Sequence, residues 1–127
     1  YKRQALTRTH TDPNDPERLL AALGGPEFAV LAGVCLGAAE AGSPVVLDGL
    51  ATSVAALIAT KFSPGLHGWL VASQASREQV HHIVLAELGL EALMELRMRA
   101  GEGVGACFGA QMILTGLQVR RTAARTC

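Results

Sequence analysis

The sequence predicts an α/β protein, a partial Rossmann-like, three-layer arrangement in which a parallel sheet is flanked by helices. Three observations carry this. Residues 44–49 (PVVLDG) and 69–73 (WLVAS) form short, continuous apolar runs, as strands buried on both faces of a parallel sheet do. A helical stretch between them is long enough for a right-handed crossover. Segments alternate helix, strand, helix, strand, helix, with Gly, Pro and polar clusters at the breaks.

Taken in order, residues 2–10 read as a short basic helix and 10–16 as a polar connection rich in turn residues. Asp15 before Pro16 is a helix start, the carboxylate as N-cap and the proline at the first helical position. The helix through Leu19, Leu20 and Leu23 ends at Gly24. A second helix runs from Pro26 to about Ala41. Its small positions Ala29, Gly33 and Gly37, with Leu36, suggest a face for close packing on a sheet. The first strand ends in Asp48-Gly49. An Asp at the carboxyl end of a parallel strand lies where open α/β sheets place their ligands, and it can also cap the following helix. Residues 50–61 form that helix, with Leu57 and Ile58 inward. Residues 62–65 make a turn before the second strand, and 74–78 are polar. A helix over 77–88 closes at Gly89. Residues 90–96 are a short helix or an extended link, and a last helix spans about 105–117.

Composition narrows the function classes. The chain has 127 residues and is half hydrophobic, yet only 4% aromatic, which argues against a stacking platform for bases. Lys and Arg balance Asp and Glu at 11 each, so nonspecific nucleic-acid binding is not indicated. Basic residues gather at the ends (Lys2, Arg3, Arg8; Arg120, Arg121, Arg125) and read as solvated termini or as contacts to anions. Cys35, Cys107 and Cys127 form no CxxC pair. Cys35 and Cys107 lie in apolar runs and read as small core residues, in keeping with a reducing cytoplasm. No membrane span is expected, since the longest apolar helix, around residues 50–60, is too short. With no carboxylate cluster, no metal is expected; no cofactor is expected either. His81-His82 are adjacent, about 100° apart on a helix, and read as a half-exposed pair rather than as joint ligands.

The chemistry concentrates in residues 97–106 (RMRAGEGVGA). Glu102 stands between Gly101 and Gly103, after Arg97 and Arg99 and before an apolar helix. Glycines let backbone and ligand approach closely, and a carboxylate at the edge of a buried segment can hold a raised pKa and accept a proton. The alternative is an ordinary loop with Glu102 solvated or capping a helix. Arg97 and Arg99 serve either an anion or the local structure of this turn.

Several segments together resemble one family. Residues 24–33 (GGPEFAVLAG) are similar to a GG-x-[DE]-x-x-x-x-AG segment, 44–49 to its PVxLDG strand, 88–90 (LGL) to its LGLxPLL segment, and 98–106 (MRAGEGVGA) to MRLGEGxGA. They occur in that order in nicotinate-nucleotide–dimethylbenzimidazole phosphoribosyltransferases, over about residues 2–110. The resemblance implies transfer of ribose 5-phosphate from nicotinate mononucleotide to 5,6-dimethylbenzimidazole, giving α-ribazole 5′-phosphate for the lower ligand of cobalamin. It implies a homodimer, with Glu102 as catalytic base. It puts Lys2 and Ser76 at the 5′-phosphate; Asp48, by its place at a strand end, and Gly101 and Gly103, by the close approach they allow, are expected at the substrate. It places residues 1–127 as a single C-terminal portion of a larger phosphoribosyltransferase-like α/β domain. This sequence departs from the pattern at Gln74 (a histidine in the family's H-x-S-x-E), at Gln79-Val80 (Pro-Gly), at Leu50 (Phe) and at Ala100 (Leu), and the resemblance stops after Ala110. The alternatives are a non-catalytic fragment or binding module of the same fold, or a piece completed by a second subunit.

Overall fold

A computed structural model describes residues 4–5, 12, 14–98 and 100–123. The expected basic helix over 2–10 falls largely outside them. Helix α1 (Pro16–Leu23) starts as its sequence dictates, the Asp15 carboxylate accepting from the Arg18 N–H at 3.0 Å. Helix α2 (Pro26–Glu40) follows. Strand β1 (Val45–Leu47) then leads into helix α3 (Leu50–Phe62), a 3₁₀ turn (Pro64–Trp69) and strand β2 (Leu70–Ala72). Helices α4 (Gln79–Glu87) and α5 (Val104–Thr122) complete the order.

The two strands pair in parallel, Val45 opposite Leu70 and Leu47 opposite Ala72, with α3 as the crossover. Side chains alternate across a strand, and the two faces are used differently. Val45 and Leu47 join a core with Ala32, Cys35, Ala56, Ala59, Val84 and Leu88 from α2, α3 and the α4 end. Val46 faces the other way, where α5 lies against it. Helices on both faces of a parallel sheet make the three layers the sequence predicts. The 90–96 segment is an extended link that lengthens the sheet. Leu93 and Met94 donate to the Ala72 and Ser73 carbonyls, Ala75 donates to Met94, and Gln74 bridges Met94 in parallel.

Helix α4 ends in a Schellman turn. Gly89 adopts φ +61°, the Gly89 N–H reaches the Ala86 carbonyl at 3.0 Å, and the Leu90 N–H reaches Leu85 at 2.9 Å. The His67 ring also bonds the Leu88 carbonyl.

Three packing expectations need correction. On α2 the buried residues are Ala32 and Cys35, whereas Ala29, Gly33 and Gly37 are exposed and nothing stands within 4 Å of where a Cβ would sit on either glycine. Residues 28–39 are all apolar or glycine, so periodicity could not select a face. On α3 the fully buried positions are Ser53, Ala55, Ala56 and Ala59, with Leu57 and Ile58 half-buried, because a helix this close to its neighbours has room inward only for small side chains. Cys107 is exposed on α5, while Cys35 is buried and its thiol pKa is pushed up by that burial.

The approach of α5 to the sheet rests on Gly109. A Cβ there would stand 2.6 Å from the Ser73 Cβ and 3.2 Å from its Cα, both rigid atoms, whereas a Cβ at Gly116 meets nothing within 4 Å. Gly109→Ala is therefore expected to cost about 1–3 kcal/mol of unfolding free energy. Gly116→Ala, an unobstructed mid-helix site, is expected to gain roughly 0.5–1 kcal/mol. Urea denaturation of the two variants checks both signs. A neutral Gly109→Ala would mean that α5 does not sit this close.

Candidate functional site

The carboxyl ends of β1 and β2 open into a cleft of about 800 Å³. Five of the six residues singled out from the sequence line it: Asp48, Ser76, Gly101, Glu102 and Gly103. Lys2 lies outside the described residues. These five come from the end of β1, the segment after β2, and the turn before α5. The fold thus brings together residues as much as 55 positions apart in sequence.

The turn at β1 is set first. The Thr52 hydroxyl accepts from the Asp48 and Gly49 N–H groups at 3.0 and 3.1 Å and donates to the Gly49 carbonyl at 2.9 Å. The start of α3 is thereby capped by Thr52 and not by Asp48. The Asp48 carboxylate instead crosses to α5, one oxygen accepting from the Gly103 N–H at 3.3 Å and the other from the Ala106 N–H at 3.0 Å. The expectation that Asp48 caps the helix following it is therefore corrected: it caps the last helix. A carboxylate there satisfies free N–H groups and opposes the positive end of the helix dipole.

Closeness makes that cap possible. A Cβ on Gly105 would fall 2.7 Å from an Asp48 carboxylate oxygen and 2.6 Å from the Gln74 amide nitrogen, so only glycine fits there. The Ser73 hydroxyl, fully buried, donates to the Leu47 carbonyl at 2.5 Å and ties the two strand ends together.

Gly101, Glu102 and Gly103 all have left-handed backbones, at φ +67°, +54° and +82°. Glycine adopts this conformation freely; glutamate does so at a cost of about 1–2 kcal/mol. Glu102 is exposed at the cleft rim, and none of the hydrogen bonds among the described residues uses its carboxylate. The burial expected around Glu102 is thus not met in this chain: its side chain is exposed where it lines the cleft.

Ser76 is positioned at both of its ends. Its N–H donates to His81 Nδ1 at 3.0 Å and its hydroxyl donates to the Glu78 carboxylate at 2.8 Å. Gln74, at the position of the family's histidine, is only 6% exposed, and its side-chain oxygen has no hydrogen-bond partner among the described residues. Arg97 also has a left-handed backbone (φ +52°) and lines a separate hollow with Arg77, His82 and Glu95. Arg99 lies outside the described residues. Among the described residues, no group of three or more His, Cys, Asp or Glu side chains is placed to hold a metal ion, and no helix is long and apolar enough to cross a membrane.

A family model described as phosphoribosyltransferase matches residues 2–126, so the likeness runs on past Ala110, where the sequence motifs were expected to end. The chain belongs to the nicotinate-nucleotide–dimethylbenzimidazole phosphoribosyltransferase family. It is 42% identical over 118 residues to the enzyme of that name from Desulforudis audaxviator, covering 93% of this chain and 33% of the relative. It is 44% identical over 112 residues to that of Mycobacterium tuberculosis, covering 88% of this chain and 31% of the relative. The crystal structure of CobT from Thermus thermophilus superposes with a TM-score of 0.87 at 37% identity, over 97% of this chain and 38% of that one. The chain therefore spans about a third of the length of the curated relatives it matches.

The His81-His82 pair is not half-exposed as a unit. His82 is exposed, but His81 is 1% exposed and bonded to Ser53 and Ser76. The signal was available: His81, Val84, Leu85 and Leu88 share one helical face at i, i+3, i+4 and i+7, and all four are buried.

If backbone strain at Glu102 is held in place by its surroundings, the two variants that remove its carboxylate separate. Glu102→Gly should be about 1 kcal/mol more stable than Glu102→Ala, since only glycine relieves the left-handed backbone. Equal urea midpoints for the two would show that the turn relaxes on its own.

Proposed function

We propose that this cleft takes part in the reaction for which its relatives are named: transfer of ribose 5-phosphate from nicotinate mononucleotide to 5,6-dimethylbenzimidazole. The observation that carries the reading is the convergence of Glu102, Ser76 and Asp48 on one cleft at the carboxyl ends of parallel strands, where ligands of open α/β sheets bind.

Nicotinate leaves from a pyridinium nitrogen already bearing positive charge, so departure needs no general acid. One benzimidazole nitrogen attacks the anomeric carbon from the opposite face, inverting β to α. The N–H on the other nitrogen becomes acidic as the bond forms. Glu102 is the base that takes this proton. Its exposure leaves the carboxylate open to an incoming flat base, and the flanking glycines let that base lie against the backbone. Aligning nucleophile and anomeric carbon supplies much of the remaining rate.

Ser76 anchors the 5′-phosphate, its hydroxyl turning from Glu78 to a phosphate oxygen, and Lys2 adds charge. Asp48 acts by holding Gly103 and Ala106, which sets the turn that carries Glu102. No cofactor enters this scheme. The working unit is a homodimer in the cytoplasm, and two free cysteines among the described residues are in keeping with a reducing compartment.

A second reading is favoured by the share of the relatives covered and by the exposed Glu102. In it, residues 1–127 are the C-terminal portion of a larger domain and supply the base and the Ser76 side of a site completed by further polypeptide. Val30 and Val34 on α2, and Phe108, Met112, Leu114 and Leu117 on α5, are exposed apolar side chains of the kind such polypeptide would cover.

Formation of α-ribazole 5′-phosphate from the two substrates, followed by chromatography, tests the first reading. Glu102→Gln should lower turnover by roughly 10²–10⁴ with little change in nicotinate mononucleotide binding. A folded wild-type chain that makes no product would sink the first reading and leave the second.

A further inference from the structure

Among the described residues, His81 is the one buried titratable side chain beside the cleft to which the proposed chemistry assigns no role. Its geometry fixes its state. The Ser76 N–H can only donate, so His81 Nδ1, 3.0 Å away, must offer a lone pair. The proton then lies on Nε2, which donates to the Ser53 hydroxyl at 3.0 Å. Ser53 is as buried as His81, and both partners are uncharged. An imidazolium has no lone pair, so a second proton would set Nδ1–H against the Ser76 N–H, two donors face to face.

We propose that His81 is a positioning residue for the cleft: as the neutral Nε2–H tautomer, braced by Ser53 of α3, it holds the Ser76 backbone in place, and its protonation releases Ser76. The Ser76 contact to a ligand rests on the function proposed above; the His81–Ser76 clamp does not.

The charged groups facing His81 are few. Burial pushes its pKa below the ordinary value and the neighbouring His82 adds to that, while Glu78 at the start of α4 and Asp48 at the end of β1 pull the other way. Helix α3 presents only the uncharged Ser53. The sign follows. An unfolded histidine takes up its proton near pH 6.5, about the unperturbed value, and the folded one only at lower pH. Stability is therefore full above that pH, falls as the pH descends through it, and levels once the folded ring is charged. The clamp is closed at neutral pH and opens in acid.

Two substitutions divide the two bonds. His81→Asn keeps an acceptor near the Nδ1 position, facing Ser76. His81→Gln keeps a donor near the Nε2 position, facing Ser53. The test is nitrogen-15 NMR of histidine- and serine-labelled chain, titrated between pH 7.5 and 4.5, with Kd for nicotinate mononucleotide measured by calorimetry over the same range.

The wild type should show an Nε2–H tautomer at pH 7.5, and the Ser76 amide resonance should move with the His81 midpoint, below about 6.5. His81→Asn should hold Ser76 fixed across the titration and bind within about threefold of the wild type. His81→Gln should free the Ser76 amide at every pH and weaken binding by about tenfold. A purely structural histidine would make both variants lose stability alike, with no difference at Ser76. An Nδ1–H tautomer, a ring charged at pH 7, or a Ser76 amide indifferent to His81 would overturn the proposal. Failure of the wild type to bind nicotinate mononucleotide at any pH would count against the proposed function, and the Ser76 resonance would still decide the role of His81.

Discussion

The bond from the Asp48 carboxylate to the Gly103 and Ala106 N–H groups is the constraint on which the cleft depends. It joins the end of a strand to the start of a helix more than fifty residues later, and the loop carrying Glu102 is suspended between them. Three other features are consequences of it. Thr52 must cap α3, because Asp48 is occupied elsewhere. Gly105 must lack a side chain, because the carboxylate and the Gln74 amide already fill the space. Gly109 must lack one too, since a helix pinned at its first turn this close to the sheet meets Ser73 one turn later. A helix terminus is a ready-made anion site. Here the protein fills it with its own carboxylate and uses the attraction to build rather than to bind.

A second polar link runs beside the first. Ser53, His81 and the Ser76 backbone form a chain through the interior from α3 across α4 to the cleft segment. Buried polar groups of this kind are costly unless each is satisfied. The neutral imidazole satisfies one donor and one acceptor with no net charge, whereas a lysine or carboxylate in its place would need a counter-charge. Asp48 and His81 thus fix the two walls of the cleft separately. Asp48 holds the wall bearing Glu102, and His81 holds the wall bearing Ser76.

Local sequence carried a good part of this arrangement. Asp15-Pro16 wrote the start of α1, Gly89 the end of α4, and the apolar runs at 44–49 and 69–73 the parallel pair, because each depends only on neighbouring residues. The cleft was legible as well, through motifs whose spacing the family shares. Two kinds of information were not local. The face of α2 that turns inward depends on what packs beside it, and a segment apolar all round gives no direction. The partner of Asp48 was likewise hidden: an Asp before a helix reads as that helix's cap, and nothing in the sequence near 48 points to 103. His81 lay between these cases, since its spacing to Val84, Leu85 and Leu88 marked it as inward, but only its two bonds reveal what it does there.

The strain at Glu102 follows from the same logic. A glycine at 102 would make the turn with less cost, and the left-handed conformation is imposed by the neighbours on either side: Gly101 closes onto Val104, and Gly103 is held by Asp48. With both flanks held, Glu102 takes this left-handed conformation, and its side chain is exposed at the cleft rim. Strain of about 1–3 kcal/mol persists only where the surroundings over-determine it. Asp48 and the paired glycines do so here, and the backbone alone keeps the carboxylate at the rim, since no side-chain bond among the described residues holds it.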